Sequence, residues 1–198
     1  MQIDTEHLHH WMQAIRQSPN PMRTMDAFWR GQITSKEWLI ENLCGLITEP
    51  ITVEIHGGWV GVLSSMLFQS DIPITSITSI DIDPDCEPVA SMMNKQEEIQ
   101  GRFQAAIADM TTYRSSADVI INTSCEHITQ EDYDQWLLGI PHTSLIVLQS
   151  NNFFIDEHIR PALDLKEFME QSHLDVIKFG ELPTEKYRRF MLIGRPSV

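Results

Sequence analysis

With 198 residues, 42% of them hydrophobic, the chain can bury a core without disulfides or a structural metal, and it fits one domain with one appended element. Its 14 Lys+Arg against 28 Asp+Glu leave a net charge of −14, which argues against the basic footprint that a nucleic-acid backbone demands. A small molecule, or a neutral to cationic partner, is expected. Cys44, Cys86 and Cys125 are an odd set without paired spacing, so no disulfide framework is expected and a reducing cytoplasm is the simpler setting. The N-terminal Met-Gln-Ile-Asp-Thr-Glu has neither a basic nor an apolar region, so no signal peptide is read there. No run reaches the roughly 18 apolar residues of a bilayer span.

Residues 1–49 read as a helical segment ahead of the sheet. His7, His9 and His10 crowd near Trp11, but no Cys, Asp or Glu completes ligand spacing, so a solvated helix is expected and no metal. Ser18-Pro-Asn-Pro21 breaks the pattern, and Met22 to Trp29 is predicted as a short helix stopped by Gly31. Thr34 and Glu37 have the spacing of a capping box, with Trp38, Leu39, Leu43 and Leu46 behind it at helical period. Trp29, Arg30 and Lys36 are candidates to cover a ligand, although packing and surface charge explain them equally well.

The chain is organised around Ile51-Thr-Val-Glu-Ile-His-Gly-Gly-Trp-Val-Gly61. A β-branched apolar run enters a glycine cluster that opens into Val62-Leu-Ser-Ser-Met-Leu-Phe68: strand, tight turn, helix start. Gly57, Gly58 and Gly61 permit a sharp turn and a close approach of backbone to ligand. Ile74 to Ile80 reads as a second strand ending in Asp81-Ile82-Asp83-Pro84. An acidic residue about 20 positions after such a turn is placed to accept hydrogen bonds from a ribose diol. Together these two units predict a nucleoside site.

Strands are predicted at 51–56, 76–82, 102–108, 117–122, 144–149, 173–180 and 187–194. Helices fall between them at about 59–69, 85–97, 129–138 and 157–171, with Val89, Met92, Met93 and Ile99 turned inward in the second. Alternation implies a parallel sheet covered on both faces. The short Gly-Glu-Leu-Pro link before the last strand permits only a hairpin, so one strand should run antiparallel. The fold class expected is thus α/β, a doubly wound, mostly parallel seven-stranded sheet with an antiparallel last strand and an N-terminal helical segment.

Glu54-Ile-His-Gly-Gly-Trp-Val-Gly61, Asp81-Ile82-Asp83, Asp109-Met110 and Asn122, followed by a terminal strand hairpin, resemble the class I (Rossmann-like) S-adenosylmethionine-dependent methyltransferases over about 51–195. The resemblance divides the chain into a helical cap, 1–49, and a cofactor-binding domain, 50–198. It implies S-adenosyl-L-methionine as cofactor, held at its amino-acid end by Glu54, Gly57, Gly58, Trp59 and Gly61. Its ribose would lie on Asp81, with Ile82 and Asp83 beside it, and its adenine on Asp109 and Met110. His56 and Val60 stand where the family pattern has its first and third glycines. Asn122-Thr-Ser-Cys-Glu-His127 falls at the family's reaction centre, with Asn122, His127 and Tyr187 as candidate catalytic residues. The Asn/Asp-Pro-Pro-Tyr/Trp pattern of nucleic-acid amino-methyltransferases is absent, in accord with the charge.

His127 has the intrinsic pKa of a general base, and equally suits a backbone hydrogen bond near a helix. Cys125 as a nucleophile would need a neighbouring cation, and a packed thiol is the plainer reading. Asn151, Asn152, Phe153 and Phe154 could orient or wall a substrate, and Arg188 or Arg189 could fork a carboxylate. NAD uses a similar turn, but its Gly-x-Gly-x-x-Gly spacing is unmatched. The expected activity is transfer from S-adenosylmethionine to a small molecule, most simply of a methyl group. Attack on the aminocarboxypropyl carbon, as in nicotianamine synthase or by cyclisation to azetidine-2-carboxylate, is an alternative, and a non-catalytic nucleoside-binding subunit another. A homodimer is compatible with either.

Overall fold

The apolar runs fold as strands: β1 (Ile51–His56), β2 (Ile74–Asp81), β3 (Phe103–Ile107), β4 (Val119–Asn122), β5 (Leu145–Asn151), β6 (Leu174–Pro183) and β7 (Arg188–Pro196). They form one sheet of order β3-β2-β1-β4-β5-β7-β6. The structure is a computed structural model. It describes residues 5–197; residues 1–4, on which part of the N-terminal reading rests, and residue 198 lie outside the described residues. β1 pairs with β2, β2 with β3 and β4 with β5 in parallel, and β7 runs antiparallel to both β5 and β6. The architecture is the expected α/β one, with the chain's last strand reversed between β5 and β6. Chain contacts divide the protein into two compact units at Ala108/Asp109.

In the first unit, α1 (Thr5–Gln17), α2 (Pro21–Asp26) and α3 (Arg30–Cys44) precede β1. Asn20 caps α2, its side chain accepting from the Arg23 amide, and Pro21 occupies the first turn, where a missing N–H costs nothing. Gly31 does not stop a helix, and Thr34 and Glu37 do not cap one. Both expectations fail because α3 begins at Arg30 with Trp29 as its extended N-cap, so these residues lie inside it. Leu39 and Leu43 are buried as expected, whereas Leu46 is 39% exposed. α4 (Val62–Phe68) follows the glycine turn, and the expected helix at 85–97 is divided into α5 (Cys86–Met93) and α6 (Lys95–Ile99). Asn94 makes the break: its Nδ2 donates to the Gly61 and Ala90 carbonyls, 3.0 Å each. Ile99 consequently turns outward, 75% exposed. Trp11, Ala14, Ala27, Val60, Val62, Met66, Val89 and Met93 form the apolar core of these helices. Trp11 Nε1 also donates to Ser65 Oγ at 3.0 Å, satisfying the indole inside that core.

In the second unit, β4 and β5 are buried along their whole lengths, as strands covered on both faces are. α7 (Gln130–Leu137) opens on Thr129, whose side chain accepts from the Asp132 amide, and its acidic first turn suits the macrodipole. Trp136 and Tyr133 from α7 fill the core, and Tyr133 O–H donates to the Ser172 carbonyl at 2.6 Å. The helix expected at 157–171 is only α8 (Leu165–Ser172). Pro161 has no N–H to give a helix, and the preceding chain spends its donors elsewhere: Arg160 N–H on the Glu126 carbonyl, Ala162 N–H on that of Asn151. Gly180 to Pro183, read as the last turn, continue β6, and the hairpin turns at 184–187, where Thr184 N–H donates to the Tyr187 carbonyl.

Candidate functional site

In the first unit the chemistry gathers at the carboxyl ends of β1 and β2. Period-two alternation puts Glu54 and His56 on one face; both are buried, with Glu54 Oε2 3.6 Å from His56 Nε2. The turn after them needs three left-handed residues: Gly57 (φ 68°), Trp59 (φ 50°) and Gly61 (φ 77°). Gly58 answers a different demand, close approach, since a Cβ there would lie 2.0 Å from Ser79 Oγ on β2. A tryptophan at positive φ is strained and persists only where its surroundings over-determine it. Two contacts do so. Its ring packs on the core around Trp11 and Met66, and its N–H donates to Asp81 Oδ2 at 2.8 Å.

Asp81 therefore joins the glycine turn to the end of β2. Its other oxygen accepts from the Asp83 amide at 3.0 Å. Each carboxylate oxygen offers two lone pairs, so both keep one for a hydroxyl donor. Asp83 is engaged differently, paired with the Arg23 guanidinium of α2. That hydrogen bond, with help from the Asp85 amide, holds Asp83 below the usual carboxylate range. Ile82 between them is exposed. Arg23, unnoticed in the sequence, thus brings the N-terminal segment to the acidic strand end. Of the three residues considered as a cover, Trp29 and Arg30 are exposed, and Lys36 is buried with its ammonium on Gln32 Oε1.

In the second unit Asp109 is exposed, one oxygen accepting from the Thr111 amide and hydroxyl. Met110 packs on the core, and its sulfur lies 3.7 Å from Asn122 Nδ2. Asn122 is buried at the end of β4, its Oδ1 accepting from the Ser124 amide. A single 3₁₀ turn, Cys125–His127, follows. Burial pushes the Cys125 thiol up to about 12, so it is the packed thiol and not a nucleophile.

Glu126 is 3% exposed and organises its surroundings. Its Oε1 accepts from Arg189 Nη1 at 2.8 Å and from Asn151 Nδ2 at 2.5 Å. Arg189 also donates to the Thr123 carbonyl. It is therefore a buried strut, not a fork for substrate, and Arg188 is a surface partner of Glu181. His127 is exposed, with Nδ1 3.0 Å from the Glu157 carbonyl. A chain of rings joins it to Tyr187: His127 to His158 at 4.8 Å, His158 to Phe153 at 6.0 Å, Phe153 to Tyr187 at 5.3 Å. The structure thus brings His127 and Tyr187 onto one assembly through His158. His158 lies in a segment whose residue pattern reads as a helix, so nothing in the order of residues pairs it with His127.

No protein-family model matches the sequence, and no curated protein sequence matches it. Solved structures do match. The N-methyltransferase NodS from Bradyrhizobium japonicum WM9, in complex with S-adenosyl-L-homocysteine, superposes with a TM-score of 0.66 at 12% identity, over 96% of this chain and 99% of that one. Magnesium protoporphyrin IX methyltransferase (ChlM) from Synechocystis PCC 6803 gives 0.63 at 13% identity, over 98% and 95%. A mutant of MtNAS gives 0.63 at 11% identity, over 96% and 70%. The fold is that of the class I S-adenosylmethionine-dependent methyltransferases. At these identities the likeness is one of fold, and the methyltransferase fold hosts its chemistry in side chains that each chain supplies for itself. Among the described residues no helix is long and apolar enough to cross a membrane.

Proposed function

We propose that the chain is an S-adenosylmethionine-using enzyme acting on a small molecule, most simply a methyltransferase. One observation carries the reading: Asp81, at the end of β2, is hydrogen-bonded to the Trp59 N–H of the glycine turn and keeps lone pairs on both oxygens. That is the donor–acceptor arrangement a ribose diol needs, beside a backbone bent for close approach. The residues fit the cofactor. Asp81 would hold the ribose; Glu54 and the 57–61 turn, the amino-acid part; Asp109 and Met110, the adenine. Asp83 can contribute only by sharing with Arg23. When bound, the sulfonium supplies an electrophilic carbon with a built-in leaving group. The protein's own work is to align an acceptor with that carbon, which is mostly positioning. His127, with Tyr187 along the ring chain, is the group proposed to take the acceptor's proton, and Asn122, at the end of β4, is proposed as a further catalytic residue.

A second reading places the attack on the aminocarboxypropyl carbon. It is favoured by a single departure: His56, at the pattern's first glycine, packs beside Glu54 and alters the end that the family uses for the amino-acid part. Incubation with S-adenosylmethionine, alone and with a metabolite extract, separates the readings by product mass. S-adenosylhomocysteine supports methyl transfer, and methylthioadenosine supports the second reading. Binding without any product leaves a nucleoside-binding subunit. Asp81→Ala should weaken cofactor binding by about 1–3 kcal/mol in calorimetry, whereas unchanged affinity removes Asp81 from the ribose role. A cytoplasmic setting, the 1–49 and 50–198 division and a homodimer belong to the same proposal.

A further inference from the structure

We propose that Glu126, His127 and His158 form a binding site for a divalent first-row transition-metal ion of the zinc and iron(II) class. One ligand atom from each of the three lies within 4.8 Å of the others. Their chemistry is what such ions take, two imidazoles and a carboxylate.

Three features beyond proximity point to a ligand. The His127 ring meets the Glu157 carbonyl through Nδ1 at 3.0 Å, and the His158 ring meets the Phe153 carbonyl through Nδ1 at 2.6 Å. A carbonyl only accepts, so each Nδ1 donates and each neutral ring presents its Nε2 lone pair. Tethering of that kind, one ring nitrogen on a backbone carbonyl, fixes tautomer and orientation in metal-binding histidines. The second feature is Glu126, whose Oε1 is fully used by Arg189 and Asn151. Its Oε2 is buried with no hydrogen-bond partner. A buried carboxylate oxygen without a donor is costly, and a cation supplies what it lacks. The third is access: His127 is exposed, His158 is half-buried, and the rings stand edge to face at 84°.

Bonds of about 2.0–2.1 Å to the metal require the ligand atoms to draw in, which exposed His127 and half-buried His158 can do by small pivots about their Nδ1 hydrogen bonds. The Arg189 charge on Oε1 opposes the cation, so the site should bind more weakly than one with an unpaired glutamate. Three protein ligands leave coordination positions open, as catalytic sites do and closed structural sites do not. An acceptor's amine, hydroxyl or carboxylate could fill them. With the metal bound, His127 is a ligand and no longer a free base; the two roles exclude each other. The metal site lies wholly in the second unit and does not rest on the cofactor reading.

The test uses the chelator-dialysed protein without S-adenosylmethionine, titrated with Co²⁺ and then displaced by Zn²⁺. Expected are visible absorption bands that saturate at one ion per chain. His127→Ala and His158→Ala should each weaken binding on the order of 100-fold, and Glu126→Gln should do so if it folds. His9→Ala, on the N-terminal helix, should change nothing. Absence of stoichiometric binding by the wild-type protein overturns the proposal. So does wild-type affinity in both histidine variants, whose folding circular dichroism checks. Calorimetry of S-adenosylmethionine on the metal-free protein reads the cofactor separately.

Discussion

The glycine turn of the first unit and the strand-end network of the second hold their carboxylates in opposite ways. Asp81 and Asp83 are partly solvated, and their partners are backbone amides or a guanidinium that is itself 44% exposed. Glu126, Arg189 and Asn151 are each under 7% exposed and depend on one another across three chain segments. A solvated carboxylate can exchange its partner for water or a ligand hydroxyl at little cost. A buried one cannot, because each unmade hydrogen bond carries its full desolvation penalty. The first arrangement suits a surface that must accept and release a ligand. The second suits a frame that must not move.

The contrast can be broken most directly at Arg189. Arg189→Met leaves Glu126 buried and uncompensated and should destabilise by about 3–5 kcal/mol in urea titration. A loss below about 1 kcal/mol would mean that water reaches the network and the two regions do not differ. Thiol reactivity probes burial itself, one group in each unit. Burial pushes Cys86 and Cys125 up to about 12, Asp81 adding to the first. At pH 8, exposed Cys44 should alkylate at least about 100-fold faster than either. Because both folded values are raised, the unfolded chain sheds these protons first. Their stabilisation is complete below about pH 8.5 and falls as pH rises toward 12. A flat stability profile over that window would contradict it.

Smaller effects sharpen the first region. Gly58→Ala sets a methyl against Ser79 Oγ and should destabilise by about 1–3 kcal/mol, with Ser79→Ala restoring much of it. Failure of that rescue would assign the cost to the backbone instead of the close approach. Arg23→Ala should change stability least, by under about 1 kcal/mol, as exposed pairs do. It should nevertheless raise the Asp83 pKa, observable by NMR titration. The lowered carboxylate stabilises above its unfolded pKa, and that contribution is lost as pH falls through the folded value, at the acid end. An unmoved Asp83 would show that the Asp85 amide, not Arg23, sets its acidity.

What the residue order by itself determined is the part of this protein governed by local rules. The β-branched run into Gly57, Gly58 and Gly61, the acidic end of β2 and the alternation of strands with helices are each written within a few tens of residues. Steric limits on φ and the period of side-chain burial act at that range. The reversed last strand was legible too, because a short link admits only a hairpin. Only the tertiary structure decided who meets whom. Arg189 reaches Glu126 across 63 positions and Arg23 reaches Asp83 across 60. His158 faces His127 where Asn152, Arg160 and Ala162 give their amides to the Arg188, Glu126 and Asn151 carbonyls instead of to a helix. Spacing in sequence carries no record of such partners. They follow from sheet order and from where buried polar groups find their donors, which exist only once the chain has packed.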